Sequence, residues 1–113
     1  MSGDFQWGDA PDHPILPRSF EYRIVSLHLE LEPQNGGEPY LDLTLERGPE
    51  RRTLRFWSPQ ELAIERGGPA FTGGFVIQDI SDRGFELLGV RVADFEASHG
   101  AIEFLARQVE ERS

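Results

Sequence analysis

Apolar and polar residues alternate with a period of two along most of this chain, and no segment sustains a period of 3.6. The pattern is plainest from Phe75 to Ala106. There Phe75-Val-Ile-Gln-Asp-Ile-Ser-Asp-Arg-Gly-Phe85, then Glu86 to Glu96, then Gly100-Ala-Ile-Glu-Phe-Leu-Ala106 read as amphipathic strands joined by tight turns. Ser81-Asp-Arg-Gly84 and Ala97-Ser-His-Gly100 carry turn chemistry: glycine supplies positive φ, and aspartate bonds the backbone ahead of it. Gly89, inside a strand pattern, suggests a β-bulge.

The first half alternates as well. Val25, Leu27, Leu29 and Leu31 point one way, and Tyr22, Ser26, His28 and Glu30 the other. Beyond the turn-rich stretch 33–39, Leu41, Leu43 and Leu45 share a face opposite Tyr40, Asp42, Thr44 and Glu46. The two runs make a hairpin with a long loop. Arg47-Gly-Pro-Glu50 is the next turn, and Arg51 to Trp57 a third strand with Leu54 and Phe56 on one side. Ser58-Pro-Gln-Glu61 has the makings of a helix start, with Ser as N-cap and Pro at the first helical position. Too few apolar residues follow for a helical stripe, so one helical turn at 58–61 and a short strand at 62–66 are expected. Strands are expected at 75–81, 84–95 and 101–109. The Gly67–Gly74 loop does not match G-x-G-x-x-G.

The chain is therefore expected to be all-β. About six or seven short strands form an antiparallel meander, folded into a sandwich or a partly open barrel, with at most one helical turn. At 113 residues it is one domain by size. Residues 1–18, with three prolines, read as an extended arm, in which Phe5 and Trp7 are expected to tuck against the sheet. Residues 19–113 form the β domain. Leu27, Leu29, Leu43, Phe56, Val90, Val92, Ile102 and Phe104 are the expected core.

Composition excludes several chemistries. There is no cysteine, so disulfides, thiolate metal sites and a cysteine nucleophile are absent. All eleven basic residues are arginine, so there is no Schiff-base or P-loop lysine. The three histidines, His13, His28 and His99, show no metal-ligand spacing. Ser98 and His99 are turn neighbours that point apart in an extended chain. Asp79 and Asp82 cap a turn and do not make an EF-hand. A net charge of −9 argues against nucleic acid and anionic membranes. Residues 1–10 have neither the basic start nor the apolar core of a signal peptide, which makes cytoplasmic residence the default.

If Leu31 lies opposite Leu41, Leu29 meets Leu43, Leu27 meets Leu45, and Glu30 stands against Asp42. Like charges directly opposed in a sheet are destabilising. Glu30, Tyr40, Asp42 and Glu46 then share an outward face, to be read either as a solvated surface whose repulsion is screened or as an acidic, tyrosine-bearing patch for a basic protein partner. Metal binding by Glu30, Asp42 and His28 ranks well below this. Arg47, Arg51, Arg52 and Arg55 form the one basic cluster, expected to pair with neighbouring acids.

Leu54-Arg-Phe56, Leu62-Ala-Ile64, the run from Phe75 to Gly84, Val90-Arg-Val92, Asp94-Phe-Glu96 and Gly100-Ala-Ile-Glu-Phe104 resemble a group of small bacterial all-β domains. Those domains are similar to immunity proteins of bacterial toxin–immunity systems. The resemblance covers about half the chain, rests on turn and core residues, and transfers no functional residue. It implies a β-sandwich-like fold and stoichiometric inhibition of a toxin. The resulting expectation is a non-enzymatic protein-binding module, without cofactor or metal, that occludes a basic surface. Two alternatives stand beside it: a structural or assembly accessory domain, and a small-molecule-binding or hydrolytic small β-barrel.

Overall fold

The computed structural model describes residues 11–33, 36–64, 75–81, 88–94 and 102–112. A 3-10 turn at Ser19–Glu21 precedes eight strands: β1 (Arg23–Glu30), β2 (Tyr40–Arg47), β3 (Glu50–Trp57), β4 (Gln60–Ile64), β5 (Phe75–Asp79), β6 (Val90–Asp94), β7 (Ile102–Ala106) and β8 (Gln108–Arg112). All pair antiparallel, in two four-stranded sheets ordered β1-β2-β3-β8 and β4-β7-β6-β5. The all-β, sandwich-like expectation holds, and the sheets do not close into a barrel. No helix among the described residues is long and apolar enough to cross a membrane.

The period-two pattern decides which faces meet. Leu41, Leu43 and Leu45 of β2 and Leu54 and Phe56 of β3 are fully buried, against Val90, Val92, Ile102 and Phe104 of the second sheet. Leu27 and Leu29 are half-buried at the margin of this core, less enclosed than the sequence suggests. Leu31 is 65% exposed. The other half of the first sheet's alternation faces outward.

Two strands change sheets side by side. β3 runs into β4 across Ser58 and Pro59, and β7 runs into β8 through Arg107 alone. Because β3 pairs with β8 and β4 with β7, the pairing turns a corner. Ser58 (φ 51°) and Glu61 (φ 54°) adopt left-handed backbone there, and the β4–β7 register shifts between Gln60 and Ala63. The Arg107 N–H donates to the Trp57 carbonyl at 2.8 Å, and the Ser58 N–H to the Pro39 carbonyl at 2.8 Å. This bend replaces the helical turn expected at 58–61: Ser58 supplies a corner and not an N-cap. It also splits the strand expected at 101–109.

At Gly89 the bulge expected from sequence fits the pairing, since Gly89 and Val90 both stand against Ala106. Gly89 stands just before β6, its N–H bonded to the Ala106 carbonyl at 2.9 Å and its own carbonyl accepting the Ile80 N–H at 3.0 Å. A Cβ there would lie 2.5 Å from the Arg107 carbonyl oxygen, so the corner's backbone occupies the space a side chain needs.

The described part of the proline-rich arm lies on the domain. The His13 N–H donates to the Ile77 carbonyl and the Asp79 N–H to the Pro11 carbonyl, each at 2.8 Å, so residues 11–13 line the outer edge of β5. Leu16 is fully buried in the core. Phe5, Trp7, the 67–74 loop, Asp82 and the Ser98-His99 turn lie outside the described residues.

Candidate functional site

The β1–β2 register differs from the one expected. Leu29 faces Leu41, Leu27 faces Leu43, His28 faces Asp42 and Glu30 faces Tyr40. The postulated Glu30–Asp42 like-charge pair does not form. A shift between Ile24 and Ser26 then turns the start of β1 over, so Tyr22 and Ile24 point into the core, where alternation alone placed Tyr22 outside.

With these registers the outer face of the first sheet forms transverse rows. Glu30, Tyr40, Trp57 and Gln108 make the end row; His28, Asp42, Arg55 and Glu110 the second; Ser26, Thr44, Thr53 and Arg112 the third; Arg23, Glu46 and Arg51 the last. Glu30, Asp42, Glu46 and Glu110 thus share the face with Arg23, Arg51, Arg55 and Arg112. The surface read from sequence as acidic is balanced in charge at these positions.

Its centre is Arg55. Nε and Nη2 donate to the two carboxylate oxygens of Asp42 at 2.8 and 2.9 Å, a bidentate fork. The guanidinium carbon lies 3.6 Å from the Tyr40 ring centroid and 5.4 Å from that of Trp57. The Tyr40 and Trp57 rings meet edge to face at 5.7 Å. The Trp57 indole N–H donates to Glu110 at 2.7 Å, and that bond, with Arg112, holds the Glu110 carboxyl below its ordinary range. Each member of the cluster is therefore fixed by a neighbour.

A groove of about 470 Å³ opens beside it, lined by Glu30, Pro33, Gly37, Glu38, Tyr40, Arg55 and Trp57. Glu38 ties the groove to the corner. It accepts from Arg107 Nε and Nη2 at 2.6 and 2.7 Å, and from the Ser58 hydroxyl. Arg107, and then Ser58, hold its carboxyl below the usual range.

The arginine cluster is spent on acids, as its sequence context suggests. Arg47 bonds Glu21 and Glu50, Arg51 bonds Glu46, and Arg52 bonds Glu111. Tyr22 donates its hydroxyl to Glu50 at 2.6 Å from inside the sheet. Asp79 accepts from the backbone and hydroxyl of Ser81, a turn cap. Among the described residues no group of three or more His, Asp or Glu is placed to hold a metal ion.

Of the four residues picked from sequence, Tyr40 and Asp42 belong to the central cluster and Glu30 to its groove. Glu46 stands two rows away, engaged by Arg23 and Arg51. Arg55, Trp57, Glu38 and Glu110 were missed. The first two were within reach: a two-residue turn at Gly48-Pro49 pairs Arg47 with Glu50, and counting back sets Arg55 against Asp42 and Trp57 against Tyr40. No protein-family model matches this chain, and no curated protein or solved structure matches it either.

Proposed function

We propose that this chain is a non-enzymatic protein-binding module that meets its partner through the outer face of the first sheet. The observation that carries the reading is the interlocked Tyr40–Arg55–Trp57 cluster beside an open groove. Tyrosine, tryptophan and arginine are the residue types that dominate binding energy at protein interfaces. Here Asp42 and Glu110 hold them in place before any partner arrives, which lowers the ordering cost of association. The balanced charge of the face assigns affinity to these anchors. The net negative charge of the chain steers a basic partner and raises the on-rate. Neutralisation of a bacterial toxin, implied by the resemblance of the second half, is the specific form we propose.

The test is affinity capture from the native lysate with three proteins: the wild type, a Tyr40→Ala/Trp57→Ala double variant, and Glu103→Gln on the second sheet. Circular dichroism checks that each is folded. A protein retained by the wild type and by Glu103→Gln, and lost from the double variant, supports the reading. Equal retention by the double variant defeats it.

A further inference from the structure

We propose that the end row of this face, Glu30 with Tyr40 and Trp57, seats an arginine side chain presented by the protein partner. The inference rests on the protein-binding reading and names the chemistry of the contact. The second row shows how this sheet holds a guanidinium. Asp42 accepts from Nε and Nη2 of Arg55 while the guanidinium carbon lies 3.6 Å from the Tyr40 ring centroid. The third and last rows also carry arginines, Arg112 in one and Arg23 and Arg51 in the other. The end row carries those same two rings, adds a carboxylate in Glu30, and has no arginine of its own.

Glu30 is the carboxylate left over. Its one ionisable partner among the described residues is His28, 3.4 Å away, and its side chain is 38% exposed. The other acid of the groove, Glu38, is taken up by Arg107 and Ser58, and the charge of Arg55 by Asp42. An incoming cation therefore finds Glu30 as the unmatched charge and Trp57 and Tyr40 as apolar walls, with Pro33 and Gly37 also lining the groove. The planar fork of arginine suits one carboxylate plus ring faces better than the compact, strongly hydrated ammonium of lysine.

The probe is a tri-arginine peptide with blocked ends, compared with blocked tri-lysine. Binding is followed by NMR through the Trp57 indole N–H, in a Trp7→Phe background where that indole is unique. Tri-arginine should shift the Trp57 signal saturably. Its apparent affinity should fall about threefold to fivefold in Glu30→Gln, the range of a partly exposed ion pair, and stay unchanged in Glu103→Gln. No shift, equal binding to Glu30→Gln, or equal binding of tri-lysine would each overturn the inference. If the peptide fails while capture of a partner still depends on Tyr40 and Trp57, the arginine seat is wrong and the protein-binding face stands. If capture ignores Tyr40 and Trp57, that face is wrong whatever the peptide does.

Discussion

Phe56 of the first sheet and Phe104 of the second meet edge to face, ring centroids 5.0 Å apart and planes at 89°. Both are fully buried, so this contact joins the two layers at the centre of the core. Truncating either to alanine should cost about 3–5 kcal/mol. Edge-to-face pairs are coupled beyond their buried area, and a double-mutant cycle should return roughly 0.5–1.5 kcal/mol of interaction. Urea unfolding of the two single variants and the double variant measures both quantities.

Gly89→Ala should destabilise out of proportion to one methyl group. The added carbon would meet the Arg107 carbonyl oxygen, backbone at the corner, and that oxygen cannot rotate away. A loss of about 1–3 kcal/mol is expected, the usual range for overpacking. Thermal melts of Gly89→Ala against an alanine substitution at exposed Glu32 separate the clash from a generic effect.

Acid should loosen the groove before it unfolds the core. Arg107 and Ser58 hold the Glu38 carboxyl below its ordinary value. A depressed carboxyl contributes stability that is fully present above its unfolded pKa, near 4.5, and is lost as pH falls through the lower folded value. Glu38→Gln should remove that contribution at neutral pH, by less than about 1 kcal/mol for so exposed a pair, and flatten the acid limb of the stability profile. Denaturation midpoints between pH 3 and 7 supply the check.

His13 gives a second, separate pH dependence. Partial burial lowers its pKa, against an opposing pull from Asp79, and its Nδ1 accepts the Ile15 N–H at 3.1 Å. A protonated ring cannot accept that bond. Stability from the neutral form is fully present above the unfolded pKa of about 6.5 and declines as pH falls below it, down to the lower folded value. The protection factor of the Ile15 amide, referred to the intrinsic exchange rate at each pH, should fall over that interval while that of the Phe56 amide is retained. His13→Phe should abolish the difference.

The parts of this fold legible in the sequence are those governed by neighbours a few residues apart. Alternation in β2 and β3 placed Leu43, Leu54 and Phe56 inside, because a strand's two faces follow from backbone geometry alone. The hairpin of β1 and β2 failed on register: its loop is long, and apolar residues on both strands fit more than one offset. An offset by two residues keeps Leu27 and Leu29 on the core side and still exchanges every partner on the outer face. The Glu30–Asp42 pair disappeared for that reason, and Asp42 acquired His28 and Arg55 instead. Glu38 and Arg107 are 69 positions apart, and nothing local in either stretch announces their bond.

The shared corner also bears on how the chain reaches this state during synthesis. β3 has β2 beside it as soon as their two-residue turn closes, but its other edge is filled by Gln108–Arg112. Until those residues emerge, Thr53 to Trp57 present an open ladder of backbone donors and acceptors, with Leu54 and Phe56 uncovered by the second sheet. Closing a span of that length is slow compared with forming a hairpin. In the interval the half-built sheet can pair with a like edge on another nascent chain. The late-arriving strand covers that ladder together with the core beneath it, and passes the sheet's edge to the charged run Gln108–Arg112.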